Sequence, residues 1–190
     1  MAEPRPLLLG ITGASGMLYV PPLLHLLRTA NVAVHAIISE AGQKVLRLEL
    51  GLAPEELIHV QRWFAPDDFA AAPASGSSCY RGMLVLPCTV GSLAAIAAGY
   101  CGNLIHRAAD VTLKEKRPLL LVVRETPLNR THLRNMLTAH EAGATICPAM
   151  PAFYNKPQNL QTMAHNFALR LCDLLHVPVA DDGQSRWQGM

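Results

Sequence analysis

Arg107, Asp110 and Lys114 recur at i, i+3 and i+7 within the stretch 103–115, so a helix there would carry all three on one face. Leu104, Ala108 and Val111 recur at helical spacing on another face. A short basic corner follows, ended by Pro118, and then a continuous apolar run, Leu119–Val123, with the pattern of a strand covered on both sides. The run closes on Arg124-Glu125-Thr126-Pro127. Open α/β sheets bind ligands beyond the carboxyl ends of their strands. An arginine and a glutamate at such an end, with a helix carrying Arg and Lys nearby, suit an anion and a proton transfer. A solvated basic turn is the competing reading of the same residues.

A second chemical element follows the first apolar run. Leu7–Ile11 leads into the glycine-rich turn Gly10-Ile11-Thr12-Gly13-Ala14-Ser15-Gly16. Small residues let backbone N–H groups approach a phosphate, and a helix N-terminus favours its charge. The turn is not a P-loop, because Met17-Leu18 stand where Lys and Ser/Thr are needed. Its spacing is G-x-x-G-x-x-G, not the dinucleotide G-x-G-x-x-G. No tyrosine is followed by the Tyr-x-x-x-Lys lysine of short-chain dehydrogenases. A mononucleotide site remains, with a plain strand-to-helix turn as its competitor.

Other candidates are single residues. Glu49 stands four after Val45 and beside Leu48, which turns it toward a buried face; a carboxylate there must be paired or have a raised pKa. Otherwise it is a boundary glutamate facing water. Thr89 and Ser92 open an alanine-rich helix, where their hydroxyls suit capping and ligand binding equally. Cys88 has the position of a reactive thiol and the surroundings of a small core residue. Arg170 follows Phe167 by three and Met163 by seven, so it lies in or beside the apolar stripe of the last helix, where a guanidinium needs an anionic partner. Trp187, close to the terminus, suits an interface anchor.

The elements that must position these residues alternate. Strands are expected over 7–11, 32–38, 58–63, 83–87, 119–123 and 144–147. Helices are expected beyond Pro21-Pro22 and over 41–50, 90–98, 103–115, 129–140 and 159–175. Gly51 is the expected stop of the second helix. The prolines at 21 and 22 either open the first helix or kink it. The stretch 65–76, rich in Ala, Pro, Ser and Gly, reads as a loop. Strand–helix alternation argues a doubly wound parallel sheet in a single domain over 1–190. The tail, about 176–190, is expected to pack at a subunit interface.

Bulk composition is consistent with this. The chain has 190 residues, 51% of them hydrophobic and 16% charged, enough for one sizeable core. A net charge of +2 gives no nucleic-acid or membrane surface. Five scattered cysteines without a CxxC pair fit a reduced, cytoplasmic protein. The N-terminal apolar run is too short for a signal peptide and no stretch is long enough to span a membrane, so neither is expected. The eight histidines show no metal spacing.

In this order the motifs resemble the UbiX-type flavin prenyltransferases from about residue 7 to 187. They are Gly13-Ala14-Ser15-Gly16, Ile38-Ser39 with Glu49, the 73–77 segment, Leu86-Pro87-Cys88, Arg107 to Val111, Leu113-Lys114-Glu115, Arg117-Pro118-Leu119, Arg124-Glu125, Pro151 to Tyr154 with Pro157-Gln158, Arg170, and Arg186-Trp187. The resemblance implies a flavodoxin-like, Rossmann-like fold, FMN as the prenyl acceptor in its reduced form, and assembly as a homododecamer. It implies transfer of the dimethylallyl group of dimethylallyl phosphate to flavin N5 and C6, without metal. The product, prenylated FMN, would serve a UbiD-type decarboxylase in ubiquinone synthesis or aromatic-acid metabolism.

The resemblance assigns FMN to Gly13, Ala14, Ser15, Ser39, Thr89, Val90, Gly91, Ser92 and Arg124, with Arg107 supporting the site. It assigns the donor phosphate to Lys114, Arg124, Tyr154 and Arg170, some from neighbouring subunits. Ser15, Glu49 and Glu125 would handle protons, and Lys114 would join them as a catalytic cation. The chain departs from the pattern at Val20-Pro21-Pro22, where the family continues Gly-x-x-Leu, and at Phe69, where some members carry Trp. Two other readings fit parts of the sequence: a non-catalytic FMN-binding accessory subunit, and an FMN-dependent peptidyl-cysteine-type decarboxylase with His25 as its catalytic histidine.

Overall fold

The first strand, β1 (Leu7–Ile11), is buried along its whole length, and its residues alternate between two cores. Leu7, Leu9 and Ile11 face one core, and Leu8 faces the other. The same two-residue period splits β4 (Gly82–Cys88) and β5 (Leu119–Val123). Leu84, Leu86, Leu120 and Val122 go one way, and Met83, Val85, Leu119, Leu121 and Val123 the other. A strand buried on both faces needs apolar residues at every position, which is why these segments read as unbroken hydrophobic runs. The computed structural model describes residues 5–180, 186, 187 and 189.

With β2 (Val34–Ile38), β3 (Arg62–Phe64) and β6 (Thr145–Ile146) the strands form one parallel sheet in the order β3-β2-β1-β4-β5-β6. The chain moves outward from β1 in one direction and returns to its other side with β4. This is the doubly wound topology, and its switch point lies between β1 and β4. Helix α1 (Val20–Thr29), α2 (Glu40–Leu50) and α6 (Leu160–Leu174) place Leu23, Leu46 and Phe167 in the first core. Helix α3 (Val90–Ala97), α4 (Leu104–Lys114) and α5 (Arg130–Glu141) supply Leu93, Ala108 and Ala139 to the second.

Local signals set the ends of these helices. Ser39, Thr89, Asn103, Asn129 and Asn159 each cap a helix by accepting an N–H from the third residue on. Gly51 ends α2 at a left-handed φ of 71°. Pro21 and Pro22 fall in the first turn of α1, where no N–H is needed, after a 3-10 turn at Met17–Tyr19. The helix therefore opens at the prolines and is not kinked by them.

Four expectations are corrected. The second strand starts at Val34, because Asn31 takes a positive φ in the preceding turn. The third occupies Arg62–Phe64, since register with His35, Ala36 and Ile37 pulls pairing past the expected 58–63 segment. The last strand pairs only at Thr145–Ile146. Leu160 leaves the apolar stripe of α6 and is 61% exposed, being the first helical residue beyond the edge of the core. Among the described residues no helix is long and apolar enough to cross a membrane.

Candidate functional site

The carboxyl ends of β1 and β4 are fastened by one hydroxyl. Buried Thr12 donates from Oγ1 to the Pro87 carbonyl at 2.7 Å and accepts the Thr89 N–H at 2.9 Å. This fixes the switch-point crevice and aims the first turn of α3 at it. Thr12 was not singled out in the sequence, although it is the first hydroxyl beyond a five-residue apolar run.

Across the crevice runs the turn Gly13 to Gly16. A Cβ on Gly13 would lie 2.5 Å from that of Ala41, so α2 can approach the turn only because Gly13 has no side chain. Gly13→Ala is expected to cost about 1–3 kcal/mol, as an overpacked core does; the check is a lowered thermal midpoint with unchanged far-ultraviolet dichroism. Gly16 has a φ of 114°, a conformation that favours glycine.

Glu49 closes this turn. Its Oε2 accepts the N–H of Gly16 at 3.0 Å and of Met17 at 2.8 Å. The amides of Gly16, the last residue of the turn, and of Met17 beyond it are thus spent on the chain's own carboxylate. The amides of Gly13, Ala14 and Ser15 have no hydrogen-bond partner in the chain among the described residues. Glu49 does not sit on a buried face as the spacing suggested; it lies on the exposed flank of α2 and reaches in. Partial burial opposes its charge, but the Ser15 hydroxyl, the Gly16 and Met17 N–H groups and the nearby Arg124 guanidinium outweigh it, and the pKa falls below the usual carboxylate value.

The sign of the linkage follows. A carboxyl with a folded pKa below its unfolded pKa contributes stability above the unfolded value and loses it as pH falls through the folded value. The thermal midpoint of the wild type should therefore exceed that of Glu49→Gln near neutrality, by an amount limited by solvent screening, and the gap should close as the pH falls below the ordinary carboxylate range. A pH titration of both midpoints checks this.

Arg124 and Glu125 stand just beyond β5, both exposed. The Arg124 N–H bonds the Cys88 carbonyl at 3.1 Å, which holds the residue next to the crevice. Glu125 Oε1 accepts the Thr126 N–H at 2.9 Å. The charge of Arg124 reaches Tyr19 as well as Glu49; burial raises the Tyr19 phenol and Arg124 partly offsets it. Ser39 Oγ accepts from Gly42 at 3.0 Å and Thr89 Oγ1 from the Ser92 N–H at 3.1 Å, so both hydroxyls cap helices while remaining at the crevice. Val90 is half-buried, and Gly91 is exposed, with Thr89 Oγ1 3.9 Å from where its Cβ would lie. Cys88 is fully buried and its thiol is pushed up to about 12, so it is a core residue and no nucleophile.

Tyr154 and Arg170 line a separate cleft of ≈ 660 Å³ between β6 and α6, together with Cys147, Asn155, Phe167 and Trp187. Tyr19 packs on Phe167 with ring centroids 4.8 Å apart, which joins this cleft to the Arg124 side of the crevice. Trp187 meets Tyr154 edge-on at 5.3 Å, and Arg186 binds Asp173 at 2.7 Å. The described part of the tail thus folds over its own α6; Ser185, Gln188 and Met190 lie outside the described residues.

Lys114 and Arg107 are elsewhere. Lys114 ends α4, pairs with Glu115 and abuts Gly76. It precedes β5, whereas Arg124 follows it, so the two stand at opposite ends of a strand about 17 Å long. Arg107 binds Asp110 at 2.8 Å and the Ala74 carbonyl at 3.1 Å, and Arg117 holds the Gly76 and Ser78 carbonyls, each at 2.7 Å. One chain therefore gathers Ser15, Glu49 and Arg124, with Tyr154 and Arg170 in the adjoining cleft, and leaves the Arg107–Lys114 face outside. His25 is also outside, exposed on α1 against His59.

The arrangement fits an anionic mononucleotide. Three amides without partners, the hydroxyls of Ser15, Ser39 and Thr89 and the Arg124 guanidinium border one crevice at the topological switch point. The family model described as Flavoprotein matches residues 1–166. The flavin prenyltransferase UbiX of Methanothermobacter thermautotrophicus is 43% identical over 184 residues, which are 96% of this chain and 95% of that protein.

The chain belongs to the UbiX flavin prenyltransferase family of flavoproteins.

Two solved members show the same architecture. The crystal structure of AnUbiX (PadA1) in complex with FMN and dimethylallyl pyrophosphate superposes with a TM-score of 0.93 at 38% identity, covering 99% of this chain and all of that one. A dodecameric FMN-dependent UbiX-like decarboxylase from Escherichia coli O157:H7 gives 0.91 at 38% identity, covering 98% of this chain.

Proposed function

We propose that the protein joins the dimethylallyl group of dimethylallyl phosphate to N5 and C6 of reduced FMN, releasing inorganic phosphate. The observation that carries this reading is the Glu49 carboxylate, anchored by the glycine turn and held anionic beside Arg124. When bound, reduced FMN would supply N5, which replaces the allylic C–O bond, and C6, which closes on the far carbon of the prenyl double bond as the other alkene carbon takes up a proton. Gly13, Ala14, Ser15, Ser39, Thr89 and Ser92, with the Val90-Gly91 backbone, hold the flavin mononucleotide. Arg124 lies between the flavin and donor sides and serves both.

Loss of phosphate from an allylic carbon leaves negative charge on the departing oxygens, and preorganised cations lower that barrier. Arg124, Arg170 and the Tyr154 phenol supply part of such a cradle, and Lys114 completes it from a neighbouring copy, with Arg107 bracing the same face. Closing the bond at C6 requires a proton to leave that carbon. Glu49, ionised and anchored on the Gly16 and Met17 amides, is placed to accept it; Ser15, hydrogen-bonded to Glu49, relays, and Glu125 is the next carboxylate along the chain after Arg124. A homododecamer, cytoplasmic location and delivery of product to a UbiD-type decarboxylase belong to the same reading, as does an interface role for the tail.

Anaerobic incubation with reduced FMN and either dimethylallyl phosphate or the diphosphate, followed by mass spectrometry of the extracted flavin, tests the proposal. A flavin heavier by one prenyl unit, formed faster with the monophosphate, is expected. Unmodified FMN from both incubations would refute it in favour of an accessory flavin-binding role.

A further inference from the structure

One buried polar atom at the crevice is explained by nothing above. His106, in the first turn of α4, has a ring Nδ1 that is shut off from solvent and has no hydrogen-bond partner among the described residues. Its other nitrogen, Nε2, lies 3.3 Å from Ser92 Oγ. Ser92 is almost fully buried, and its Oγ accepts the Thr89 hydroxyl at 3.1 Å. Thr89 in turn is the residue whose N–H is held by Thr12 at the mouth of the crevice. A continuous line of polar atoms therefore runs from the crevice at Thr89 inward through Ser92 to His106.

We propose that His106 is a positioning residue for flavin binding: neutral, with its proton on Nε2, it donates to Ser92 Oγ and so frees the Thr89 hydroxyl to donate to an acceptor atom of FMN. This deepens the assignment of Thr89 to the flavin site and rests on it.

The Thr89 hydroxyl donates inward to Ser92 Oγ at 3.1 Å. To donate to a ligand it must turn that proton outward, and the buried Ser92 oxygen then loses a donor. A buried hydroxyl without a partner is unfavourable. Nε2–H is a replacement donor already within reach. The tautomer follows from the other nitrogen: a buried N–H with no acceptor is rare, so the isolated Nδ1 carries the lone pair and Nε2 the proton. Burial also lowers the pKa of the imidazole, in keeping with a neutral ring.

The test measures FMN affinity by fluorescence quenching for wild type, His106→Phe, His106→Gln, Thr89→Val and the double variant Thr89→Val/His106→Phe. His106→Phe is expected to weaken FMN binding about five- to tenfold, the size of one hydrogen bond. His106→Gln, which keeps an N–H donor, should recover most of the loss. In the Thr89→Val background His106→Phe should have no further effect.

A second readout needs no variant to fold. The 15N spectrum of the histidine-labelled wild-type oligomer should show His106 with a protonated Nε2 and a bare Nδ1. Protonation at Nδ1, or additive losses in the double variant, would overturn the inference. If Thr89→Val itself leaves FMN affinity unchanged, the assignment of Thr89 to the flavin site fails, and the inference falls with it.

Discussion

Lys114→Ala should lower kcat/KM for dimethylallyl phosphate by about 10²- to 10³-fold, the loss typical of removing one group aimed at developing charge. FMN affinity should hardly change, because Lys114 stands at the far end of β5 from the glycine turn. The reason for so large an effect is the chemistry of the leaving phosphate. Its charge develops in the transition state, and a fixed ammonium stabilises that charge more than it stabilises the bound ester.

The same placement gives this prediction a second part. Within one chain Lys114 touches Glu115 and the loop at Gly76, not Arg124 or the Tyr154–Arg170 cleft. Its cation acts only if another copy lays its α4 face against that cleft. Co-expressing Lys114→Ala with Glu49→Gln subunits should then produce hybrid oligomers with more activity than either parent, since a hybrid contains some sites with both groups intact. Hybrids no more active than the parents, with Lys114→Ala alone fully active, would remove Lys114 from the site.

Glu49→Gln should slow single-turnover product formation by about 10²- to 10⁴-fold, the usual contribution of a positioned base. The amide oxygen can still accept the Gly16 and Met17 N–H groups, so the turn and its flavin affinity should be retained. What is lost is the negative charge that Ser15, the two amides and Arg124 together sustain. Anaerobic stopped-flow absorbance of the reduced flavin after mixing with donor reads the rate directly. Wild-type rates in this variant would pass the role of base to Glu125, whose own Gln variant is the control.

Much of the scaffold was legible in the sequence because its signals are local. Leu7–Ile11 and Leu119–Val123 have the bounds of their apolar runs, since a strand covered on both faces tolerates no polar residue. The helices over 90–97, 104–114 and 160–174 begin one residue after Thr89, Asn103 and Asn159, the short polar side chains that cap them. Where the boundaries moved, at β2, β3 and β6, pairing with a neighbouring strand set the end, and pairing partners lie far away in sequence.

The candidate site divides along the same line. Residue type and order established the glycine turn, the Arg124-Glu125 pair beyond a core strand, and the resemblance to a flavin-modifying family. Only the tertiary structure decided that Glu49 takes the Gly16 and Met17 amides, that Thr12 ties the β1 and β4 ends together, and that His106 backs Ser92 and Thr89. Only it showed Arg107 held by Asp110 and the Ala74 carbonyl and Lys114 paired with Glu115. Local sequence fixes backbone conformation through nearest-neighbour sterics and burial period. Contacts between residues tens of positions apart depend on how whole elements pack, and the sheet's direction, which carries Lys114 to one end of β5 and Arg124 to the other, is a property of the assembled fold.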